Sequence, residues 1–187
     1  MIGEKYGHFL DRHLARFFKN SPLGPNAITL IGFASTSLAA LVLSYDLFWG
    51  GILVLLGSLL DVLDGIVARV NGWTTSFGAY LDSFLDRYSD GFLFLALAYN
   101  LRENHTALLL SLGTLLGAFL VSYARARAEG LGVECKIGIM ERPERIILLS
   151  IGAVTGLIIP ALWIMFILTH FTVLQRFFYT KKALSRN

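Results

Sequence analysis

Apolar residues run along this chain in long blocks, separated by short polar and charged clusters, and most blocks are long enough to cross the hydrocarbon core of a bilayer. Six spans are predicted: Ile28 to Tyr45, Leu47 to Arg69, Phe77 to Asn100, Thr106 to Ala128, Ile146 to Ile159 and Ala161 to Tyr179. The fifth is short. It reaches crossing length if its helix starts near Arg142, with Pro143 in the first turn, where a missing N–H costs little. Ahead of the spans, Ile2, Tyr6, Phe9, Leu10, Leu14, Phe17 and Phe18 share one helical stripe. Lys5, Arg12, Arg16 and Lys19 fall mostly elsewhere, which suits an amphipathic helix lying in the membrane interface or packed on protein. Asn20-Ser21-Pro22-Leu23-Gly24-Pro25 ends that helix. The expected fold is therefore all-α and integral to the membrane: six transmembrane helices preceded by an N-terminal amphipathic interfacial helix. Residues 1–20 form the juxtamembrane helix and residues 21–187 a single six-helix domain.

Composition agrees with this picture. Of the 187 residues, 55% are apolar, and the mean hydropathy of +0.63 exceeds that of a soluble domain of this size. The basic residues scattered through the first twenty positions do not make a cleavable secretory signal, so the mature chain is expected to begin at Met1. A net charge of +3 raises the question of nucleic acid. The basic residues flank apolar spans and no nucleic-acid-binding motif accompanies them, so membrane-surface anchoring accounts for the charge and no nucleic-acid partner is expected. Of the 16 lysines and arginines, all but Arg87 and Arg102 lie in the N-terminal segment, the turn after Arg69, the Arg125 to Arg145 connection, or the C-terminal tail and the adjoining end of the sixth span. The positive-inside rule places those segments, and both termini, in the cytoplasm of a multi-pass protein of the cell membrane. Cys135 is the single cysteine, which excludes an intramolecular disulfide and a thiolate metal site, and reads as an incidental small residue in a loop.

Against this apolar background four aspartates are out of place. Asp61 and Asp64 stand at i and i+3 in one span, Asp82 and Asp86 at i and i+4 in the next, so each pair shares a helix face. A short polar turn, Asn71 to Ser76, would lay the two helices antiparallel and let the faces meet. Four carboxylates in a low-dielectric site cannot all stay ionised unaided. Two divalent cations balance their charge, and an all-oxygen donor set selects Mg²⁺, Mn²⁺ or Ca²⁺ over zinc. The site then lies two to three turns from the cytoplasmic helix ends and opens toward the cytosol.

The full spacing is Asp61-x2-Asp64-Gly65-x2-Ala68-Arg69-x8-Gly78-x3-Asp82-x3-Asp86, and at every defined position it resembles the signature of the CDP-alcohol phosphotransferase family. The resemblance extends to Pro25-Asn26-x2-Thr29 and to Glu141-Arg142-Pro143-Glu144-Arg145, so it covers most of the chain. It implies a transferase of substituted phosphate groups with two Mg²⁺ ions as cofactor, Mn²⁺ being the alternative, and a homodimer. By the same resemblance, Asp61, Asp64 and Asp82 would hold one ion and Asp61, Asp82 and Asp86 the other. Asp86 would also be the catalytic residue that takes the proton from the attacking hydroxyl. Asp64, Gly65, Ala68, Arg69, Gly78, Asn26 and Thr29 would bind the donor nucleotide. Glycine at positions 65 and 78 has a physical reason too, since a bare backbone lets a flat base or a phosphate approach closely; tight helix packing is the alternative.

A second cluster sits in the polar connection after the fourth span. Arg125 and Arg127 end one helix, Arg142 and Arg145 begin the next at i and i+3, and guanidinium groups that converge make an anion site. Within the family, Arg-x-Arg-Ala-Glu followed by Glu-Arg-Pro-Glu-Arg looks like the branch that uses an inositol phosphate acceptor, which makes these four arginines its phosphate-binding residues. The expected reaction transfers a phosphatidyl-type group, diacyl or archaetidyl, from a CDP-activated lipid to inositol 1-phosphate with release of CMP. Glycerol phosphate as acceptor and CDP-inositol as donor are alternatives within the class. A cation- or proton-coupled transporter is the alternative outside it.

The remaining features carry plainer expectations. Asp90 continues the Asp82 and Asp86 face one turn deeper, lies outside the family pattern and reads as a hydrogen-bonded or protonated structural group, partnered with Arg87 or Tyr88. His8, His13, His105 and His170 have no ligand spacing. Gly113-x3-Gly117 and Gly152-x3-Gly156 suit close helix packing within the chain. Asn104-His105-Thr106 matches a glycosylation acceptor by chance.

Overall fold

The computed structural model describes residues 24–70 and 75–185, with only the backbone described at residues 25 and 60–70. The N-terminal amphipathic stretch and most of the polar turn after the second span lie outside the described residues. Six helices follow in order: α1 Pro25–Leu43, α2 Leu47–Val70, α3 Ser76–Asn100, α4 His105–Glu129, α5 Arg142–Thr155 and α6 Ile158–Leu184. Among the described residues there is no strand.

Local chemistry explains where each helix starts. Pro25 occupies the first turn of α1. Asp46 Oδ1 accepts from the Trp49 amide at 2.9 Å at the start of α2. Thr75 Oγ1 accepts from the Gly78 amide at 2.9 Å ahead of α3, and Asn104 Oδ1 from the Ala107 amide at 3.1 Å ahead of α4. Each such cap satisfies an amide that the helix leaves without a partner. Asn104 therefore has a structural role that accounts for its place beside His105 and Thr106.

The fifth helix departs from expectation at its far end. It begins at Arg142 with Pro143 in the first turn, as the sequence suggests, but it closes at Thr155 because Gly156 adopts a left-handed conformation (φ 75°). Its 14 residues rise only about 21 Å at 1.5 Å each, short of a roughly 30 Å hydrocarbon core. The last helix starts earlier than expected, at Ile158, and runs to Leu184.

α1 packs against both α2 and α3, α3 against α4, α4 against α6, α2 against α5, and α5 against α6. The core threads this ring of contacts through Ala39, Leu43, Val54, Leu93, Phe94, Leu97, Leu149, Leu162 and Met165. Glycine permits the closest crossings. A Cβ on Gly113 would meet the Phe166 ring at 2.6 Å, on Gly117 the Thr169 methyl at 2.8 Å, and on Gly152 the Ala161 Cβ at 2.6 Å. The first glycine pair thus packs α4 on α6 within the chain, whereas in the second pair only Gly152 packs and Gly156 ends a helix.

Outward faces are apolar. Leu38, Leu41, Leu109, Leu116, Ile167 and Phe178 are all exposed on the protein, the arrangement a bilayer rather than water stabilises. The helical parts Asn26–Leu43, His105–Glu129 and Ile158–Leu184 are long and apolar enough to cross a membrane, and α2 contributes the shorter apolar stretch Leu47–Leu59. Cys135 is fully buried, in a small cluster with Ala128 and Val133 against Ile137 and Ala183, and so is a packing residue of the α4–α5 connection rather than an incidental one.

Candidate active site

The second half of the aspartate motif lies on α3. Asp82 and Asp86, one turn apart, are half-buried on one face. Asp61, Asp64, Gly65, Ala68 and Arg69 lie on the last turns of α2, where the side chains are outside those described. Gly78 lies in the first turn of α3 with Asn26 of α1 against it: a Cβ there would stand 3.0 Å from Thr75 Oγ1 and 3.3 Å from Asn26 Oδ1. Thr29, one turn further along α1, is buried. The α1 and α3 members of the expected nucleotide site are thus brought together by the packing of those two helices.

Beside Asp86 a cavity of about 390 Å³ opens between α3, α4, α5 and α6. Its wall carries Arg87, Arg125, Arg142, Arg145 and Arg176 against Asp86, Glu129 and Glu141, with Ser83 and Ser122 between them. The excess of guanidinium groups suits an anion, and their planar forks suit a phosphate.

Each expected arginine has a distinct place. Arg142 Nη1 donates to Asp86 Oδ1 at 2.7 Å, so the motif and the arginine cluster touch directly. Arg125 lines the cavity and pairs with Glu129 at 2.8 Å. Arg145 borders the cavity but is 2% exposed, and its Nη2 donates to Asp90 Oδ2 at 2.6 Å. Arg127 is exposed and lies outside the cavity lining. Helical phase explains the last difference, because positions 125 and 127 on α4 are two residues apart and face different ways.

Asp90, 1% exposed, is partnered by Arg145 and approached by Arg142 at 3.6 Å, not by Arg87 or Tyr88. Arg87 instead reaches Asp86 at 3.4 Å. The buried pair joins α3 to the start of α5 and fixes the cavity wall.

Two further residues were not singled out by sequence. Arg176, nearly buried on α6, donates to the Val121 carbonyl at 2.7 Å, the Ile137 carbonyl at 2.7 Å and Glu141 Oε1 at 2.6 Å. Thr172 Oγ1, one turn earlier, accepts from the amides of Ile139 (3.3 Å) and Met140 (3.0 Å). Together they clamp the end of the α4–α5 connection, including Gly138 at φ 148°, and deliver Glu141 and Arg142 to the cavity. A lone cation inside a predicted membrane span is a functional signal in its own right, and Arg176 carried it. Farther out on the same connection, Lys136 Nζ lies 2.5 Å from Glu134 Oε1 and its hydrogen bond holds that exposed carboxyl below the usual range. His170 joins no site: its ring packs on Phe166 and its Nε2 lies 3.1 Å from the Gly113 carbonyl.

A helical membrane protein with motif carboxylates on the wall of an arginine-lined cavity is equipped for phosphate chemistry beside a lipid phase. The profile of the CDP-alcohol phosphatidyltransferase family matches residues 23–181, and the chain belongs to that family. It is 40% identical over 164 residues to the archaetidylinositol phosphate synthase of Methanothermobacter thermautotrophicus, spanning 84% of this chain and 83% of that one. Its fold superposes on the crystal structure of Mycobacterium tuberculosis phosphatidylinositol phosphate synthase with CDP-DAG bound at a TM-score of 0.80, with 30% identity and 94% of each chain covered. The same enzyme in complex with manganese and citrate gives a TM-score of 0.81 at 31% identity, covering 89% of this chain and 87% of that one.

Proposed function

We propose that this protein transfers a phosphatidyl-type group, diacyl or archaetidyl, from a CDP-activated lipid to a hydroxyl of inositol 1-phosphate, releasing CMP. The observation that carries the reading is the contact between motif and pocket: Asp86 stands on the wall of the arginine-lined cavity, 2.7 Å from Arg142. An acceptor whose phosphate is held by the arginines presents its hydroxyl to that carboxylate. The relatives that carry the names archaetidylinositol and phosphatidylinositol phosphate synthase support the choice of acceptor.

The acceptor hydroxyl oxygen forms a bond to the phosphorus that bears the lipid, the bond from that phosphorus to the CMP oxygen breaks, and Asp86 takes the hydroxyl proton. Asn26, Thr29 and Gly78 form the described part of the nucleotide site, completed by Asp64, Gly65, Ala68 and Arg69. Arg125 and Arg142 hold the acceptor phosphate, while Arg145, Arg176 and Glu141 shape the pocket. Arg127 is assigned no contact.

Asp61, Asp64, Asp82 and Asp86 would hold two Mg²⁺ ions. The described donors fit: Asp82 and Asp86 are half-buried carboxylates one turn apart on one helix face, and hard divalent cations take such oxygens. When bound, the ions supply charge neutralisation at the pyrophosphate.

In the membrane, residues 21–187 would form one six-helix domain, with α5 too short to cross by itself, behind the interfacial helix expected at residues 1–20. The cavity and both termini lie on the cytoplasmic side, and two copies associate. The incubation of purified protein with Mg²⁺, a CDP-lipid and a panel of inositol 1-phosphate, glycerol phosphate and free inositol tests the reaction. A product with the mass of the lipid inositol phosphate is expected; a glycerol phosphate product alone would reassign the acceptor.

A further inference from the structure

Arg142 lies between two carboxylates of α3. Its Nη1 donates to Asp86 Oδ1 at 2.7 Å, while its Nε is 3.6 Å from Asp90 Oδ1, just beyond hydrogen-bond reach. Asp90 is anchored through its other oxygen, which accepts from Arg145 Nη2 at 2.6 Å in a fully buried pair. Its Oδ1 is buried and, among the described residues, makes no hydrogen bond. A buried acceptor in such a place is costly to leave unfilled. Among the described residues, one guanidinium therefore has two carboxylates a helical turn apart, one taken and one held ready within about an ångström of hydrogen-bond length.

We propose that Asp90 is a positioning residue that receives Arg142 when a divalent cation takes Asp86, so that cation binding and the setting of the acceptor pocket are one coupled event. Arg142 and the cation would draw on the same carboxylate and compete for it. Moving Arg142 to Asp90 relieves the competition, fills the vacant buried acceptor and turns the guanidinium away from the reacting carboxylate while keeping it on the cavity wall. Arg145 stays on Asp90 Oδ2 throughout and keeps the receiving carboxylate in place. This rests on the reading of Asp86 as a metal ligand.

Mn²⁺ binding to the purified protein in detergent, followed by the electron paramagnetic resonance signal of the free ion, tests it without turnover. Arg142→Gln removes the competitor and is expected to tighten Mn²⁺ by about tenfold, within the range usual for coupled sites. Asp90→Asn strands Arg142 on Asp86 and is expected to weaken Mn²⁺ by a similar factor, with Asp90→Glu restoring it. The deciding comparison is Asp90→Asn in the Arg142→Gln background. If Asp90 acts through Arg142, the second substitution has no further effect there, whereas a direct field from Asp90 persists in both backgrounds. Persistence overturns the proposal. Should Asp90→Asn not fold, Arg142→Gln alone decides, since it leaves the Asp90–Arg145 pair intact: Mn²⁺ affinity unchanged or weaker overturns the proposal. Asp86→Asn is the control for the underlying reading. Unaltered Mn²⁺ affinity in that variant removes Asp86 as a ligand altogether, a result distinct from failure of the relay.

Discussion

The arginines that border one cavity do different work, and burial separates them. Arg145 is sealed against Asp90, so truncating it strands a buried carboxylate, a change that typically costs about 3–5 kcal/mol. Arg125 is partly exposed beside Glu129; if it holds the acceptor phosphate as proposed, losing that charge-assisted bond should cost near the lower end of about 1.5–3 kcal/mol, or roughly tenfold in acceptor KM. Arg145→Ala should accordingly lower the melting temperature in detergent markedly, while Arg125→Ala leaves it unchanged and raises the KM for inositol 1-phosphate without altering that for the CDP-lipid. Equal thermal stability of the two variants would contradict the division. Asp86→Asn should abolish turnover with the fold intact, and steady-state rates together with helical circular dichroism check it. These roles were unevenly legible in the sequence. Fixed spacing on a helix face revealed the aspartates, because i, i+3 and i, i+4 positions must share a face. The arginine cluster was visible as charge near a helix end, but which member turns inward is decided by partners far along the chain: Asp90 for Arg145, and Glu141 for Arg176. No local period encodes those pairings.

Among the helices, α5 is the piece the pattern of apolar positions described least well. A hydrophobic run measures the length of a buried segment, not where a left-handed residue closes it, and Gly156 closes α5 at 14 residues. The short connection to α6 then forces a close crossing at Gly152, where an added Cβ would stand 2.6 Å from the Ala161 Cβ and 3.3 Å from the Ile158 backbone. Neither neighbour is the end of a flexible side chain. Gly152→Ala should therefore destabilise the protein by about 1–3 kcal/mol, the usual scale of overpacking. A Cβ at Gly156 meets nothing within 4 Å; Gly156→Ala should cost only about 1–2 kcal/mol, from its backbone conformation. Thermal unfolding of both variants checks the mechanism, and the two can be told apart by pairing Gly152→Ala with Ala161→Gly, which should restore stability only for the packing defect. Since α5 carries Arg142 and Arg145 at its first turns, its crossing on α6 also sets the cavity wall, and Gly152→Ala should raise the acceptor KM.

At the scale of the whole molecule, orientation in the bilayer decides which compartment supplies the acceptor. Lysines and arginines concentrate at the end of the helices that carries the aspartates, the α4–α5 connection and Lys181 and Lys182. The α3–α4 turn at the other end offers Arg102, whose guanidinium sits over the Tyr99 ring at 4.6 Å and contacts Glu103. The orientation proposed from the positive-inside rule would put the first end in the cytosol, where a water-soluble sugar phosphate would reach the cavity directly. Cys135 is a poor reporter of this, because it is buried and stays unlabelled whichever way the protein sits. Two exposed glutamates serve better: Glu103, whose side chain is 92% exposed in the α3–α4 turn, and Glu134, 70% exposed in the α4–α5 connection. With Cys135 replaced by serine, Glu103→Cys should react with a membrane-impermeant maleimide on intact cells and Glu134→Cys only after permeabilisation. Neither glutamate caps a helix or lines the cavity, so activity should survive both substitutions and confirm that the labelled protein is folded. The reverse pattern, with Glu134→Cys labelled from outside in an active enzyme, would invert the topology and require the acceptor phosphate to be supplied from outside the cell.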